Sequence, residues 1–400
     1  MREALAIVPL RKLTAAQLVS MSGDFLAIYA VFSVVSFQLH GSPAQVSGIM
    51  IAYMLPQAVV GPLAGVFIDR WNVKTAMVAS DLLRAVLSVC FVYSSNIWQI
   101  YGVLILLSAL SAFFMPAQTI TIRTIVPINA LMAANALMIQ VMQITQIVTP
   151  GLAGLLISHM GTAACFWMDS VSFLFSAMMI FTIVINRKVA PSPNEMASVL
   201  ADLTVGARYI FTHGILAFTI LSMAAGGFAI SCYTALSAVY VRDILHRTTG
   251  MFGVLGTLIG VGMILGTQGI TRCGKLLSKE QLIMLGLCGI AFGILMLAIF
   301  GNIPLAVVAT LGMGFGVALV LIPAQTLMQA ETPTEMLGRV SGGLRSVLAL
   351  VQIAGLVLSG SIAQAVGIRN SYFAISVLLM RIASAGLQVV HTRKSDALAA

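Results

Sequence analysis

Long apolar runs separated by short polar gaps constrain this chain more than any other feature of its sequence. Each run approaches or exceeds the ~20 apolar residues that a helix needs to cross a membrane. Only 8% of the 400 residues are charged, whereas a soluble domain carries about 25%, so most of the surface must face lipid. We therefore predict an all-α membrane protein with twelve transmembrane helices. The predicted spans cover residues 14–38, 43–67, 75–95, 98–123, 135–158, 162–185, 214–240, 250–270, 280–300, 303–329, 336–364 and 370–390.

Lysine and arginine residues are divided unequally between the two sets of gaps. Fifteen fall on one side, and only Arg242, Arg247 and Arg369 fall on the other. Because short cytoplasmic loops are enriched in Lys and Arg, the richer side is predicted to face the cytoplasm. An even number of spans then places both termini in the cytoplasm. The net charge of +9 reflects this bias and forms no one-sided basic patch, so we expect the lipid bilayer, and no nucleic acid, as a partner.

The two halves of the chain repeat short motifs at a nearly constant spacing. Residues 115–119 (MPAQT) recur after 207 positions as residues 322–326 (IPAQT). A proline and two glycines recur after 206 positions, with Pro127, Gly154 and Gly161 matching Pro333, Gly360 and Gly367. We predict an N-terminal six-helix bundle (1–185), a polar cytoplasmic linker (186–208) and a C-terminal six-helix bundle (209–400). Two such repeats around a central cavity are typical of one large class of transporters.

The connection between the second and third spans carries a recognisable motif. Residues 65–74 (GVFIDRWNVK) resemble the G-x-x-x-D-R-x-x-R-K loop of the major facilitator superfamily, with Val73 in place of the second basic residue. Several other segments resemble its drug:proton antiporter branch, which holds macrolide-efflux proteins and the enterobactin exporter. These segments are residues 114–118, 134–137, 150–154, 166–173 and 338–341.

The resemblance implies a multi-pass protein of the bacterial cytoplasmic (inner) membrane. Such a protein would export an amphipathic small molecule, such as a drug, a macrolide or a siderophore, by proton antiport with alternating access. We expect a small-molecule substrate and protons as partners, and a monomer. A lipid or lysolipid transporter, or a small-molecule importer, of the same fold remains an alternative.

Motifs for other chemistries are weak or missing. The sequence contains neither G-x-S-x-G nor H-E-x-x-H, so we predict no enzymatic activity. Residues 269–275 approach a P-loop, but Leu276 stands where a magnesium-binding Ser or Thr is needed. The five Cys are scattered and odd in number, which fits no metal cluster or disulfide framework. We therefore expect no cofactor and no metal.

Two acidic residues within the predicted spans are candidates for proton coupling. Asp24 lies about ten residues into the first span, and hence near the middle of the bilayer. A carboxylate at that depth must face a cavity, pair or take up a proton, so it suits a proton carrier. Asp169 lies about seven residues from the outer end of the sixth span, beside Trp167. It is either a second proton site or an interfacial hydrogen-bond acceptor, and its position slightly favours the latter.

The family resemblance implies a gating loop whose charge contacts hold the inward-closed arrangement and break as the halves move. An ordinary Lys- and Arg-rich cytoplasmic loop is the alternative. The gating residues would be Gly65, Asp69, Arg70 and Lys74.

Two further motifs are predicted to have structural roles. Asp81 and Arg84 lie three residues apart, on one helical face, and are predicted to form an ion pair. Pro150, Gly151 and Gly154 resemble the antiporter G-P-x-x-G-G motif. The proline would bend the helix and the glycines would permit close helix packing.

A last group of residues is predicted to line the substrate cavity, because the resemblance places its members on cavity-lining spans. Flexible methionines and aromatic rings would give an adaptable apolar wall, although each of these residues could equally face lipid or a neighbouring helix. The group consists of Gln118, Gln325, Tyr29, Phe32, Met115, Phe228, Tyr233 and Met328.

Overall fold

The computed structural model describes residues 6–185, 213–273, 277–332 and 337–399. These residues form twelve long α-helices and no β-strand, which confirms the all-α prediction. Eleven of the helices are long and apolar enough, over the described residues, to cross a membrane. The helices are α1 (Val8–Ser33), α2 (Pro43–Arg70), α3 (Val73–Val92), α4 (Ile97–Ile125), α5 (Leu131–Met160), α6 (Thr162–Phe181), α7 (Gly214–Asp243), α8 (Thr249–Cys273), α9 (Lys279–Ile299), α10 (Ile303–Glu331), α11 (Leu337–Val366) and α12 (Ile368–Ala399).

The connection between α2 and α3 is shorter than the sequence suggests. α2 continues to Arg70, three residues past the predicted span, and α3 begins at Val73. Two residues suffice between them because Asn72 caps α3, its side chain accepting a 3.2 Å hydrogen bond from the backbone N–H of Thr75. The predicted gating residues before Trp71 therefore belong to a helix and not to a loop. The predicted linker, 186–208, lies outside the described residues.

Each helix of the second half begins 206 residues after its counterpart in the first half. The paired starting residues are Val8 and Gly214, Pro43 and Thr249, Val73 and Lys279, Ile97 and Ile303, Leu131 and Leu337, and Thr162 and Ile368. The spacing suggested by a few motifs thus extends to all six helices. This confirms the prediction of two six-helix repeats.

Special backbone positions follow the same spacing. Among the described residues, those with left-handed φ form two pairs separated by 206 positions. His40 and His246 have φ of 49° and 51°, while Gly161 and Gly367 have φ of 80° and 87°. The two glycines each separate a pair of consecutive helices, and glycine adopts this conformation without a steric penalty.

The first of two compact units contains α1, α3 to α6, most of α2 and the start of α8 (Arg247–Thr257). Within it, α1 packs against α5 and α6, while α3 packs against α4 and α6. Part of its apolar core consists of Leu10, Leu13, Met77 and Phe114, all buried. Asp24, Asp81 and Asp169, the acidic residues in the interior of the predicted spans, all lie in this unit.

The second unit contains α7, α9 to α12, the rest of α8 from Leu258, and Ser42–Ser47. Within it, α9 packs against α10 and α12, and α7 packs against α11. Tyr240 is fully buried and donates a 3.0 Å hydrogen bond from its hydroxyl to the carbonyl of Phe300. A buried hydroxyl needs such a partner, so this contact helps to hold the start of the α9–α10 connection on α7.

Candidate functional site

Three helices of the first unit bring four charged side chains together. Asp24 lies on α1, Asp81 and Arg84 on α3, and Asp169 on α6. The Nη2 atom of Arg84 contacts Oδ1 of Asp81, and its Nη1 atom lies 3.7 Å from Oδ2 of Asp24. Arg84 therefore joins a carboxyl on its own helix to a carboxyl on α1. We call these four residues the charge cluster.

One antiparallel register aligns α3 with α6 throughout the charge cluster. Ser176 donates a 2.6 Å hydrogen bond to Oδ2 of Asp81, and the guanidinium of Arg84 lies 4.3 Å from the centre of the Phe173 ring. Ser88 donates a 2.6 Å hydrogen bond to Oδ2 of Asp169. The contacting residues on α3 are Asp81, Arg84 and Ser88, and their partners on α6 are Ser176, Phe173 and Asp169. The spacing of three and then four residues is therefore the same on both helices, in opposite directions. These contacts hold both buried carboxyls in defined positions.

The guanidinium of Arg84 is enclosed by protein on several sides. Nη1 donates a 3.4 Å hydrogen bond to the hydroxyl of Ser111, and the group lies 4.9 Å from the centre of the Phe114 ring. Arg84 is only 3% exposed, and its Nε atom has no hydrogen-bond partner among the described residues. Removing a guanidinium from water is expensive unless anions and rings compensate. Its position therefore depends on the surrounding carboxyls.

Asp169 reaches α1 because residue 23 is a glycine. A Cβ atom at Gly23 would lie 2.6 Å from Oδ1 of Asp169 and 2.9 Å from Cβ of Ser172, closer than real Cβ contacts allow. Oδ1 of Asp169 is buried and has no hydrogen-bond partner among the described residues. A second carboxyl is thereby placed against α1 at the residue that precedes Asp24.

The charge cluster has more acidic than basic groups. Three carboxyls and one guanidinium give a net charge of −2 if every group is ionised, and uncompensated charge in a buried site is costly. Protons bound by one or two carboxyls would remove the imbalance. The side chain of Asp24 is 19% exposed, whereas those of Arg84 and Asp81 are 4% and 0% exposed. Asp24 is therefore the member best placed to exchange a proton.

The second repeat has aliphatic side chains at every position equivalent to the charge cluster. At the 206-residue spacing, Asp24, Asp81, Arg84 and Asp169 correspond to Ile230, Leu287, Ile290 and Ile375. Ser88 and Ser176 likewise correspond to Ile294 and Ile382. The same six helices thus form without these polar groups, as expected where apolar residues replace a buried ion pair. Helix packing alone does not explain the charges of the first repeat.

Of the four predicted gating residues, only Lys74 has a side chain within the described part of the structure. Gly65, Asp69 and Arg70 lie on the last turns of α2, and their side chains are outside the described part of the structure. Lys74 lies in the first turn of α3, where its Nζ atom is 4.9 Å from the centre of the Phe181 ring. The contact seen for Lys74 is therefore a cation–π contact with the end of α6.

The predicted cavity residues occupy several different environments. In the first unit, Gln118 donates a 3.0 Å hydrogen bond to Gln17. The rings of Tyr29 and Phe32 lie 4.8 and 5.7 Å from that of Phe252. The remaining residues divide into two exposed ones, Met115 and Gln325, two buried ones, Tyr233 and Met328, and the partly exposed Phe228.

The proline-glycine motif of α5 makes a close helix contact. A Cβ atom at Gly154 would lie 3.1 Å from the carbonyl oxygen of Gly250, and one at Gly253 would lie 2.5 Å from the carbonyl oxygen of Pro150. Gly151 faces Thr257, whose hydroxyl would lie 2.7 Å from an added Cβ. The motif thus packs α5 against the start of α8 within the first unit.

Several residues of the site were missed from the sequence. Ser88 and Ser176 hold the two buried carboxyls, and Gly23 makes room for one of them. A usable signal was present, because Asp81 and Ser88, like Asp169 and Ser176, lie seven residues apart and so share a helical face.

Twelve helices in two repeats of six are features of secondary transporters built from parallel repeats, and buried charged residues within membrane proteins often mark ion or substrate pathways. The family model of the Major Facilitator Superfamily matches residues 13–355, and the chain belongs to this family. The chain is similar to the multidrug efflux pump Tap of Mycolicibacterium fortuitum, with 26% identity over 97% of each chain. It is also 26% identical to macrolide efflux protein A of Streptococcus pyogenes, over 89% of this chain and 90% of that protein.

Solved structures agree with this assignment at the level of the fold. The nucleoside transporter NupG superimposes with a TM-score of 0.76 at 12% identity, covering 96% of this chain and 99% of NupG. Membership of the Major Facilitator Superfamily makes the protein a multi-pass membrane transporter and not an enzyme.

Proposed function

We propose that this transporter exports an amphipathic small molecule, such as a drug, a macrolide or a siderophore, in exchange for protons. Export would occur by alternating access across the bacterial cytoplasmic membrane, with both termini in the cytoplasm. The names of two relatives, a multidrug efflux pump and a macrolide efflux protein, support export of drugs and macrolides. The excess of Lys and Arg on one side supports the orientation.

The charge cluster is the observation that carries the proposal of proton coupling. Asp24 lies 3.7 Å from Arg84 and is partly exposed, while Asp81 contacts the same guanidinium and is fully buried. Two carboxyls therefore share one cation, and the carboxyl of Asp24 is exposed enough to exchange a proton. In the second repeat, aliphatic residues occupy the equivalent positions, which favours a function over a structural need.

These contacts suggest how the exchange works. A proton entering from outside binds the carboxylate of Asp24 and neutralises it, so that Asp24 no longer attracts Arg84. Arg84 remains held by Asp81 and by the Phe173 ring, within a site fixed by Ser176. Release of the proton to the cytoplasm restores the Asp24–Arg84 attraction. Competition between proton and substrate for the protein then couples the two movements.

The other predicted residues have supporting roles in this proposal. Asp169 is a second proton-binding carboxyl, and the end of α2 with Lys74 forms a cytoplasmic gate. The chain is divided into a six-helix bundle (1–185), a linker (186–208) and a second bundle (209–400). The predicted cavity residues contact the substrate. They are Gln118, Gln325, Tyr29, Phe32, Met115, Phe228, Tyr233 and Met328.

Accumulation of labelled compounds in cells tests the proposal. Cells would express the wild type, Asp24→Asn or Asp243→Asn, and would receive a macrolide, a lipophilic dye or a catecholate siderophore, each with and without a protonophore. Asp243 is a matched control because its side chain is 43% exposed and contacts its neighbour Arg242 at 2.5 Å. Membrane levels of each variant would be measured in parallel.

We expect the wild type and Asp243→Asn to lower the accumulation of one class of compound. The protonophore and Asp24→Asn should each abolish this effect. Export that resists the protonophore would contradict proton antiport, and export by Asp24→Asn would remove Asp24 from the mechanism. Unchanged accumulation of all three compounds by the wild type would contradict the proposed substrate range.

A further inference from the structure

An apolar groove lies on the second unit, between α7, α11 and α12. It encloses about 240 Å³. Its floor is buried, since Ala229 is 0%, Leu379 2% and Ala224 5% exposed, while Leu221 and Leu378 on its rim are 55% and 48% exposed. The groove is therefore open along its rim and closed beneath.

The groove is suited to an aliphatic chain. All ten side chains that line it are apolar, and apolar cavities of about 150 Å³ stay free of water and bind hydrocarbon. It exists because α7 presents alanine at positions 224, 225 and 229, which leave the space that larger side chains would fill. In a bilayer, the aliphatic chains available to an open rim are those of lipids.

A cationic side chain stands beside the rim. Arg381 is exposed, and it follows Leu378 by three residues on α12, so the two share a helical face. Its guanidinium has no ion pair or hydrogen bond among the described residues. Over the described residues α12 is the one long helix that does not qualify as a span, but an unpaired arginine at membrane depth is costly, so an anion from the surroundings is expected to compensate it.

The depth of Arg381 is compatible with a lipid headgroup. It lies 13 residues after the first residue of α12, or about 20 Å along the helix axis. With Ile368 taken to lie at one boundary of a hydrocarbon core of about 30 Å, about 10 Å remain to the opposite boundary, which the long arginine side chain can largely span by snorkelling. Basic sites between spanning helices are known to bind lipid phosphates in this way.

We propose that the groove and Arg381 form a binding site for one membrane phospholipid. The phosphate accepts hydrogen bonds from the guanidinium of Arg381, and one acyl chain occupies the groove beneath Leu378. The site is distinct from the charge cluster, which lies in the other unit. It would hold a lipid whether or not the protein is coupled to protons.

Native mass spectrometry of the purified full chain tests this site with phosphatidylglycerol as the probe. The variants are Arg381→Gln, Arg381→Lys, Ala225→Leu to fill the groove, and Ala365→Leu as a control. Ala365 is exposed, lies near the end of α11 and does not line the groove. Gel filtration would establish that each variant is folded, and diacylglycerol would serve as a probe that lacks phosphate.

We expect the wild type, Arg381→Lys and Ala365→Leu to retain one phosphatidylglycerol. Retention should fall on the order of tenfold or more in Arg381→Gln, because a charge-assisted hydrogen bond is lost, and similarly in Ala225→Leu. Lipid retention is measured without transport, so this test is independent of the proposed export activity. Equal retention by all variants, equal retention of diacylglycerol, or no retention by the wild type would overturn the proposal.

Discussion

Loss of the Arg84 guanidinium should destabilise the first unit severely. In Arg84→Gln, Asp81 keeps only its hydrogen bond from Ser176, and Asp24 loses the cation 3.7 Å away. Because Asp81 is fully buried, removing its partner should cost about 3–5 kcal/mol. At about 1.4 kcal/mol per factor of ten, the opened fraction should rise by roughly two to three and a half orders of magnitude.

Buried cysteines allow this change to be measured within each unit. Cys165, on α6 in the first unit, and Cys232, on α7 in the second, are both fully buried. Variants that retain only one of them can be heated in detergent with a thiol-reactive dye. We expect Arg84→Gln to lower the temperature at which Cys165 reacts, and to change the reaction of Cys232 less.

A double variant separates a buried unpaired charge from other effects of the substitution. Asp81→Asn combined with Arg84→Gln leaves a neutral pair that can remain hydrogen-bonded, and should recover more than half of the lost stability. A loss below about 1 kcal/mol for Arg84→Gln, typical of exposed pairs, would refute the reasoning. The reasoning would also be refuted if the stability losses of Asp81→Asn and Arg84→Gln simply added in the double variant.

Three further substitutions test the packing around the site. Gly23→Ala should destabilise the protein by about 1–3 kcal/mol and abolish transport, because the added Cβ would lie 2.6 Å from Oδ1 of Asp169. Gly102→Ala should change neither stability nor transport, because nothing lies within 4 Å of its added Cβ. Thermal unfolding would compare the stability of the two variants. Ser88→Ala removes the hydrogen bond to Asp169 and should lower the free energy of unfolding by about 1–3 kcal/mol in the same assay. A change near zero would count against a stabilising role for this hydrogen bond. Gly253→Ala places a Cβ 2.5 Å from a backbone carbonyl oxygen of α5, and should lower both the unfolding temperature and the rate of export. An unfolding temperature and export rate equal to those of the wild type would contradict the close packing of α5 against α8.

The helices were largely predictable because each follows from a local property of the sequence. Apolar runs of spanning length and a few motifs at a spacing of 206 or 207 residues were sufficient to predict the twelve helices and their repeat. The end of α2 was misplaced by three residues. That error arose because a single capping side chain, Asn72, allows a two-residue connection that hydropathy does not reveal.

The charge cluster was predictable only in part. Spacing of three residues indicates that Asp81 and Arg84 share a helical face, but it does not indicate that Arg84 also approaches Asp24, sixty residues away on another helix. The register of α3 against α6 depends on which faces pack. The hydroxyl groups that hold the carboxyls, such as Ser88, therefore become evident only when the helices are assembled.

Proton release on substrate binding tests the central claim most directly. Purified wild type, Asp24→Asn and Asp243→Asn would be mixed with the exported compound in a weakly buffered solution that contains a pH indicator. If substrate and proton compete through Asp24, the wild type and Asp243→Asn release protons on binding, whereas Asp24→Asn binds the compound without release. Equal proton release by all three proteins, or binding by the wild type without release, would contradict the account.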